Sequence, residues 1–286
     1  MCGSLFAERT AGMSLDLDAY FERIGYSGAR APTLETLKAL HYAHALAIPF
    51  ENLSVLAKRP VVLDLPALQQ KLVGARRGGY CFEVNGLFAA VLRELGFDIT
   101  TLIGRVRWKT PDDVDTGPSH MLSLIELPEG RFLADIGFGG LTMTGPIRLE
   151  TDIEQQTPHE PRRLIADGDG YMLQAKLGEE WGNVYRFTLD PQTRADYEIA
   201  NWYTSTHPQS IFMQFLIVAR PLADRRITLF NCNLTIRHLD GRVENRRLEN
   251  AEEIATALAE HFDLPLSDED RAVALDPYMD AWRAMP

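Results

Sequence analysis

Arg77-Gly78-Gly79-Tyr80-Cys81-Phe82-Glu83-Val84-Asn85 opens a run that reaches Gly96, and its reading decides the architecture around it. Val84, Leu87, Phe88, Val91, Leu92 and Leu95 recur at three- and four-residue steps, which predicts a helix from about Cys81 to Leu95 with Gly96 as its stop. The cysteine therefore stands at a helix start, where unpaired amides and the positive end of the helix dipole favour a thiolate. The competing reading is a small buried hydrophobe at the head of a core helix. Two features weigh against it: Gly78 and Gly79 would let a ligand approach the backbone closely, and Asn85 lies one turn later on the same face.

Upstream of this helix the apolar spacing is also helical. Leu17, Tyr20, Phe21 and Ile24 share a face closed by Gly25; Thr33 caps a second helix carrying Leu34, Leu37 and Leu40; Asp64 caps a third carrying Leu65, Leu68 and Leu72 before Gly74. Downstream the texture changes to short runs rich in branched and aromatic residues, at Ile99–Trp108, Met121–Leu127, Phe132–Ile136, Tyr171–Leu177 and Val184–Leu189, punctuated by turns such as Asp167-Gly168-Asp169-Gly170. A long strand is expected over Arg226–Leu239, turning at Asp240-Gly241 into Arg242–Leu248. Asn250 with Glu253 reads as a capping box for a helix through His261, and Asp268–Trp282 reads as helical.

Composition bounds what such a chain can do. Its 286 residues support a real core, and no apolar run approaches the roughly 20 residues that span a bilayer, so no membrane segment is expected. A net charge of −11 argues against sequence-independent nucleic-acid binding, which needs a clustered basic face. Cys2, Cys81 and Cys232 make neither a disulfide framework nor a metal-binding spacing, so no metal is expected and a reducing cytoplasm fits. Residues 1–12 are set aside as a leader or an expression remnant, since Met13 opens a new patterned segment and the secretory pattern is missing.

A nucleophilic thiolate needs a base. Of seven histidines, His120 follows Pro118-Ser119 at the start of a strand, whereas His41 and His44 sit in a helix, and His159, His207, His238 and His261 lie in loop-like or exposed surroundings. Asp135 ends Arg131-Phe132-Leu133-Ala134 and precedes Ile136-Gly137-Phe138-Gly139-Gly140, a carboxylate at the end of a buried strand that an imidazole N–H would satisfy. Its alternative reading is a turn-capping aspartate. Cys232, among alternating apolar residues, reads as core.

The Arg77–Asn85 block, Ser119-His120-Met121-Leu122 and Asp135–Gly140 resemble, in order and spacing, the three signature blocks of the arylamine N-acetyltransferases. Ile48-Pro49-Phe50-Glu51-Asn52-Leu53 and Asn201–Pro208, with Ser210 and Phe212, extend the likeness, which runs from about Met13 to Pro221. It implies an α+β fold with a cysteine-protease-like core: a helical bundle over residues 13–98, an antiparallel β-barrel or sheet over 99–205 and an α/β lid over 206–286. It further implies Cys81 as acetyl acceptor, His120 as base and Asp135 as orienting acid. Phe50, Val106, Phe138 and Phe212 would line a pocket for flat aromatic substrates, Arg77 and Glu51 would form a buried pair, and Asn85 would support the triad.

The implied reaction is ping-pong transfer from acetyl coenzyme A to arylamines, arylhydroxylamines or hydrazines, with Gly139 and Gly140 as a nest for the donor's pyrophosphate. Two other readings share the residue types: a cysteine hydrolase or transglutaminase-like amidase, and a non-catalytic binder of aromatic ligands. Oligomeric state, acceptor identity and donor length are open at this level.

Overall fold

A computed structural model of the protein describes residues 15–111 and 113–283; the expected leader at residues 1–12, with Cys2, lies outside them. Helices begin where a side chain can serve the free amides of a first turn. Asp16 accepts from the Ala19 N–H at the head of α1 (Leu17–Ile24), and Gly25 ends that helix in the left-handed region. Thr33 accepts from the Thr36 N–H to start α2 (Leu34–Ala47). The two-residue strand β1 (Phe50–Glu51) and the short α3 (Leu53–Leu56) come next. Then follow α4 (Leu65–Gln69), capped by Asp64 and prolonged by a π turn over Gln70–Gly74, and α5 (Cys81–Glu94). The third expected helix is therefore part α and part π, and Leu68 and Leu72 still reach the core through the wider turn.

The middle of the chain supplies β2 (Asp98–Val106), β3 (Pro118–Leu127), β4 (Gly130–Ala134), β5 (Ile147–Arg148), β6 (Arg162–Asp167), β7 (Gly170–Leu177) and β8 (Glu180–Phe187). They pair antiparallel in the order β5-β4-β3-β2-β8-β7-β6, a nearly closed, barrel-like sheet. Register matters most between β3 and β4. Ser123 stands opposite Ala134, so Asp135 leaves the end of β4 beside the stretch of β3 that carries His120.

The rest of the chain holds α6 (Arg194–Thr206), α7 (Ile211–Gln214), β9 (Ile217–Leu222), β10 (Arg225–Phe230), β11 (Asn233–His238), β12 (Val243–Arg247), α8 (Ala251–Phe262), α9 (Asp268–Asp270) and α10 (Asp276–Arg283). Its strands form a second sheet, β1-β9-β10-β11-β12, whose first member comes from the helical third through Phe50↔Ala219 and Glu51↔Val218.

The single long strand expected over Arg226–Leu239 is two strands. Asn231, at φ 54°, turns the chain between them, and its side chain accepts from the Leu216 N–H; asparagine tolerates the left-handed backbone that such a turn requires. Cys232 belongs to this turn, not to a strand, and is fully buried.

Each layer has its own apolar core: Tyr20, Leu37, Leu72 and Phe88 among the helices, Leu102, Leu122, Leu173 and Phe187 inside the barrel, and Leu229, Leu248 and Phe262 beneath the second sheet. Burial of each such side chain contributes about 1.5–3 kcal/mol. A fourth cluster joins the three layers around Cys81, drawing Phe50, Tyr80, Phe82, Met121, Tyr197 and Ala219 from all of them. The helical, barrel and C-terminal elements thus meet at the cysteine.

Candidate active site

Cys81 is the first residue of α5, and the Glu83 carboxylate accepts the N–H of Tyr80 just before it, closing the first turn. The thiol is 3% exposed and lies 3.5 Å from the carbonyl oxygen of Ser119. His120, the next residue, has Nε2 2.8 Å from Oδ2 of Asp135, and the Cys81 side chain is the ring's other hydrogen-bonding neighbour. The three side chains expected to act together are thus linked in the order Cys81, His120, Asp135. Both His120 and Asp135 are buried.

Burial alone would push the His120 imidazolium to lower pKa, but the Asp135 charge, its hydrogen bond and the neighbouring Cys81 outweigh it and raise the ring to about 10. Asp135 moves the other way. Desolvation opposes its ionisation, and His120, Asn85 and the Gly137 N–H together hold it below the ordinary carboxylate range. The ring is therefore a cation and the carboxylate an anion at neutral pH.

Asp135 is held from every side. Its Oδ1 accepts from Asn85 Nδ2 at 2.9 Å and from the Gly137 N–H at 2.9 Å. Asn85 also donates to the Met121 carbonyl and accepts from the Ile136 N–H, so this helical side chain fixes β3 and the loop after β4 at once. The backbone N–H of Asp135 donates to Nε2 of His41 at 3.3 Å. Burial lowers the His41 pKa to about 4 and leaves that ring neutral and able to accept.

The glycines before Cys81 play a different part from the one expected. A Cβ on Gly78 would lie 2.3 Å from the carbonyl oxygen of Pro49, and one on Gly79 would lie 2.8 Å from Oε2 of Glu83. The close approach they permit is to the protein's own chain, which pairs Phe50 with Gly79. Gly137 is equally constrained, since its Cβ would lie 2.9 Å from Cα of Cys81.

Around this centre the aromatic residues converge unevenly. Phe138 meets the His120 ring edge-on at 5.1 Å, and Phe212 packs near Phe50 at 6.0 Å and against Tyr80 at 5.6 Å. Val106 ends β2 opposite Tyr185. Gly139, in the left-handed region, lies under the Phe50 ring, and Gly140 faces Thr228 of β10. Arg77 reaches Oε1 of the fully buried Glu51 at 3.2 Å, and Glu51 Oε2 accepts the Leu53 N–H.

Among the other histidines, His159 is half-buried, bridging Thr144 and the Leu222 carbonyl, and His238 lies within β11 against Glu244. His159 lies in a loop, as expected, whereas His238 lies in a strand and is not exposed.

The sequence reading missed two residues at the centre. Tyr185 stacks at a tilt on His120 at 4.8 Å, and burial, then the Asp135 charge, raise its phenol so that it stays neutral. His41 is the other. The signal for it was present, because His41 and His44 interrupt an otherwise apolar helix face with Leu37 and Leu40. Among the described residues no cluster of three or more His, Cys, Asp or Glu could hold a metal ion, and no helix is long and apolar enough to cross a membrane.

Comparison with known proteins places the chain in a family. A family profile described as N-acetyltransferase matches residues 33–271. The chain is 43% identical to an arylamine N-acetyltransferase of Escherichia coli, over 91% of this chain and 92% of that one. It is 45% identical to one of Mycolicibacterium smegmatis, over 90% and 94%. In structure it is similar to the Mycobacterium marinum arylamine N-acetyltransferase in complex with CoA, with a TM-score of 0.88 and 40% identity over 92% of this chain and 99% of that one. The Salmonella typhimurium enzyme gives 0.88 and 39% over 94% and 100%. The chain belongs to the arylamine N-acetyltransferase family and is an acetyltransferase.

Proposed function

We propose that this acetyltransferase carries acetyl from acetyl coenzyme A to aromatic amines, arylhydroxylamines and hydrazines through a thioester on Cys81. The single observation that carries the reading is the continuous link from the thiol through His120 to Asp135 at 2.8 Å, in a ring kept cationic up to about 10. A relative solved with CoA supports the donor.

In the first half-reaction the Cys81 sulfur attacks the acetyl carbonyl. As the tetrahedral centre collapses, the bond to the coenzyme A sulfur breaks, and the leaving thiolate takes the His120 proton. One thioester replaces another, so the protein's task is proximity and charge stabilisation. In the second, the amine attacks the acetyl-enzyme, neutral His120 accepts the nitrogen's proton, and Cys81 leaves as the thiolate, restoring the starting pair. Thioester becomes amide, and this step runs downhill.

Gly139 and Gly140 are the proposed seat of the donor's pyrophosphate, on the loop leading from Asp135. Phe50, Val106, Phe138 and Phe212 are the proposed acceptor wall, and the reach of Phe212 to Phe50 and Tyr80 supports residues 206–286 as a lid. Incubation with acetyl coenzyme A and no acceptor should leave one acetyl group on the Cys81 peptide by mass spectrometry. An active enzyme whose Cys81 stays unmodified would refute the thioester.

A further inference from the structure

Asn52 is 2% exposed and lies between β1 and α3. Its amide spends every strong hydrogen bond on one distant segment. Nδ2 donates to the carbonyl oxygens of Phe212 and Phe215, both at 2.8 Å, and Oδ1 accepts the Ile217 N–H at 2.8 Å. These three groups lie within α7, at its C-cap and at the head of β9, and α7 is a helix of only four residues with no buried side chain of its own. Ser210 adds one bond at its start, accepting the Phe212 N–H. A helix so short is not self-supporting, so its position follows from what holds its ends.

Phe212 is the residue of α7 that packs toward Phe50 and Tyr80. Its backbone carbonyl is one of the two that Asn52 grips, and Phe50 is two residues from Asn52 on the same short strand and turn. One buried amide therefore sets the separation of two aromatic rings that arrive from distant parts of the chain. We propose that Asn52 is a positioning residue that fixes how Phe212 sits beside Phe50 in the aromatic acceptor wall, and so selects flat arylamines over small hydrazines in the second half-reaction. The inference rests on the thioester reading above.

The experiment separates the two half-reactions. Asn52→Asp keeps the shape but replaces the donating NH2 with an oxygen facing two carbonyls, and Asn52→Ser shortens the side chain and removes the amide without adding a charge beside Glu51. For each folded variant, Cys81 acetylation by acetyl coenzyme A is timed in a single turnover. Transfer from the purified acetyl-enzyme is then timed to a para-substituted aniline and, separately, to hydrazine.

Transfer to the aniline should slow by about tenfold or more while Cys81 acetylation and transfer to hydrazine change by less than about threefold, the scale expected of a misplaced contact. Asn52→Gln, which retains the amide, should recover part of the aniline rate. Phe212→Leu, which leaves Asn52 untouched, should show the same acceptor-selective loss. Equal slowing for both acceptors, or none, would overturn the assignment while leaving the thioester in place. Failure of the unaltered enzyme to acetylate Cys81 would remove both.

Discussion

Asn85 Nδ2 lies 2.9 Å from Oδ1 of Asp135, one helical turn beyond Cys81, so the helix that presents the sulfur also aims the carboxylate paired with His120. Asn85→Ala should break this coupling and leave the Met121 carbonyl and the Ile136 N–H unserved. A loss of about 1–3 kcal/mol in stability is expected, read from chemical denaturation, together with slower acetylation of Cys81. A stable variant of unchanged rate would remove Asn85 from the site.

Asp135→Asn keeps the size of the side chain and deprives His120 of its anionic partner. Acetylation of Cys81 should slow by about 10³-fold or more in single-turnover measurements, on the scale seen when an orienting acid is lost. Retention of the full rate would show that His120 needs no carboxylate.

The same pair predicts a dependence of stability on alkaline pH. Because the His120 pKa rises from 6.5 to about 10 on folding, the unfolded chain releases its proton first, and the stabilisation is complete below about pH 6.5 and lost as pH climbs through 10. Melting temperatures of the unaltered protein and Asp135→Asn, compared from pH 6 to above 10, should converge as pH rises. A gap that stays constant would contradict the pairing.

His41 gives the opposite limb. Its pKa falls from 6.5 to about 4 on folding, so the folded state resists a proton that the unfolded state takes up, and stability declines as pH drops from about 6.5 toward 4. His41→Leu should flatten that part of the acid decline in a melting series. It should also cost about 1–3 kcal/mol near neutrality, because the Asp135 N–H loses its acceptor.

Gly78→Ala tests the packing reading of the glycines. Its methyl would sit 2.3 Å from the Pro49 oxygen, and a destabilisation of about 3 kcal/mol is expected by denaturant titration. A neutral outcome would contradict the packing reading of Gly78.

Local pattern disclosed the start of α5, because the apolar steps from Val84 to Leu95 and the stop at Gly96 need no distant partner. His120 and Asp135 were legible through resemblance and not through spacing, since their meeting depends on how β3 registers against β4. Strand alternation did not reveal the break at Asn231, because the buried positions continue on either side of the turn. Gly78 and Gly79 were read as room for a ligand because the chain that fills that room, at Pro49 and Glu83, approaches only after folding. Tyr185 shows no local signal at all; it becomes part of the site only because β8 lies next to β2.

The pairing of Phe50 with Ala219 carries a consequence for biosynthesis. A nascent chain that ends before β9 has its sulfur-bearing helix but no ladder for β1, the strand that carries Phe50. Competence should therefore appear late and abruptly during translation, when the ribosome has moved well past residue 222, and ribosome-bound intermediates shorter than that should resist acetylation at Cys81.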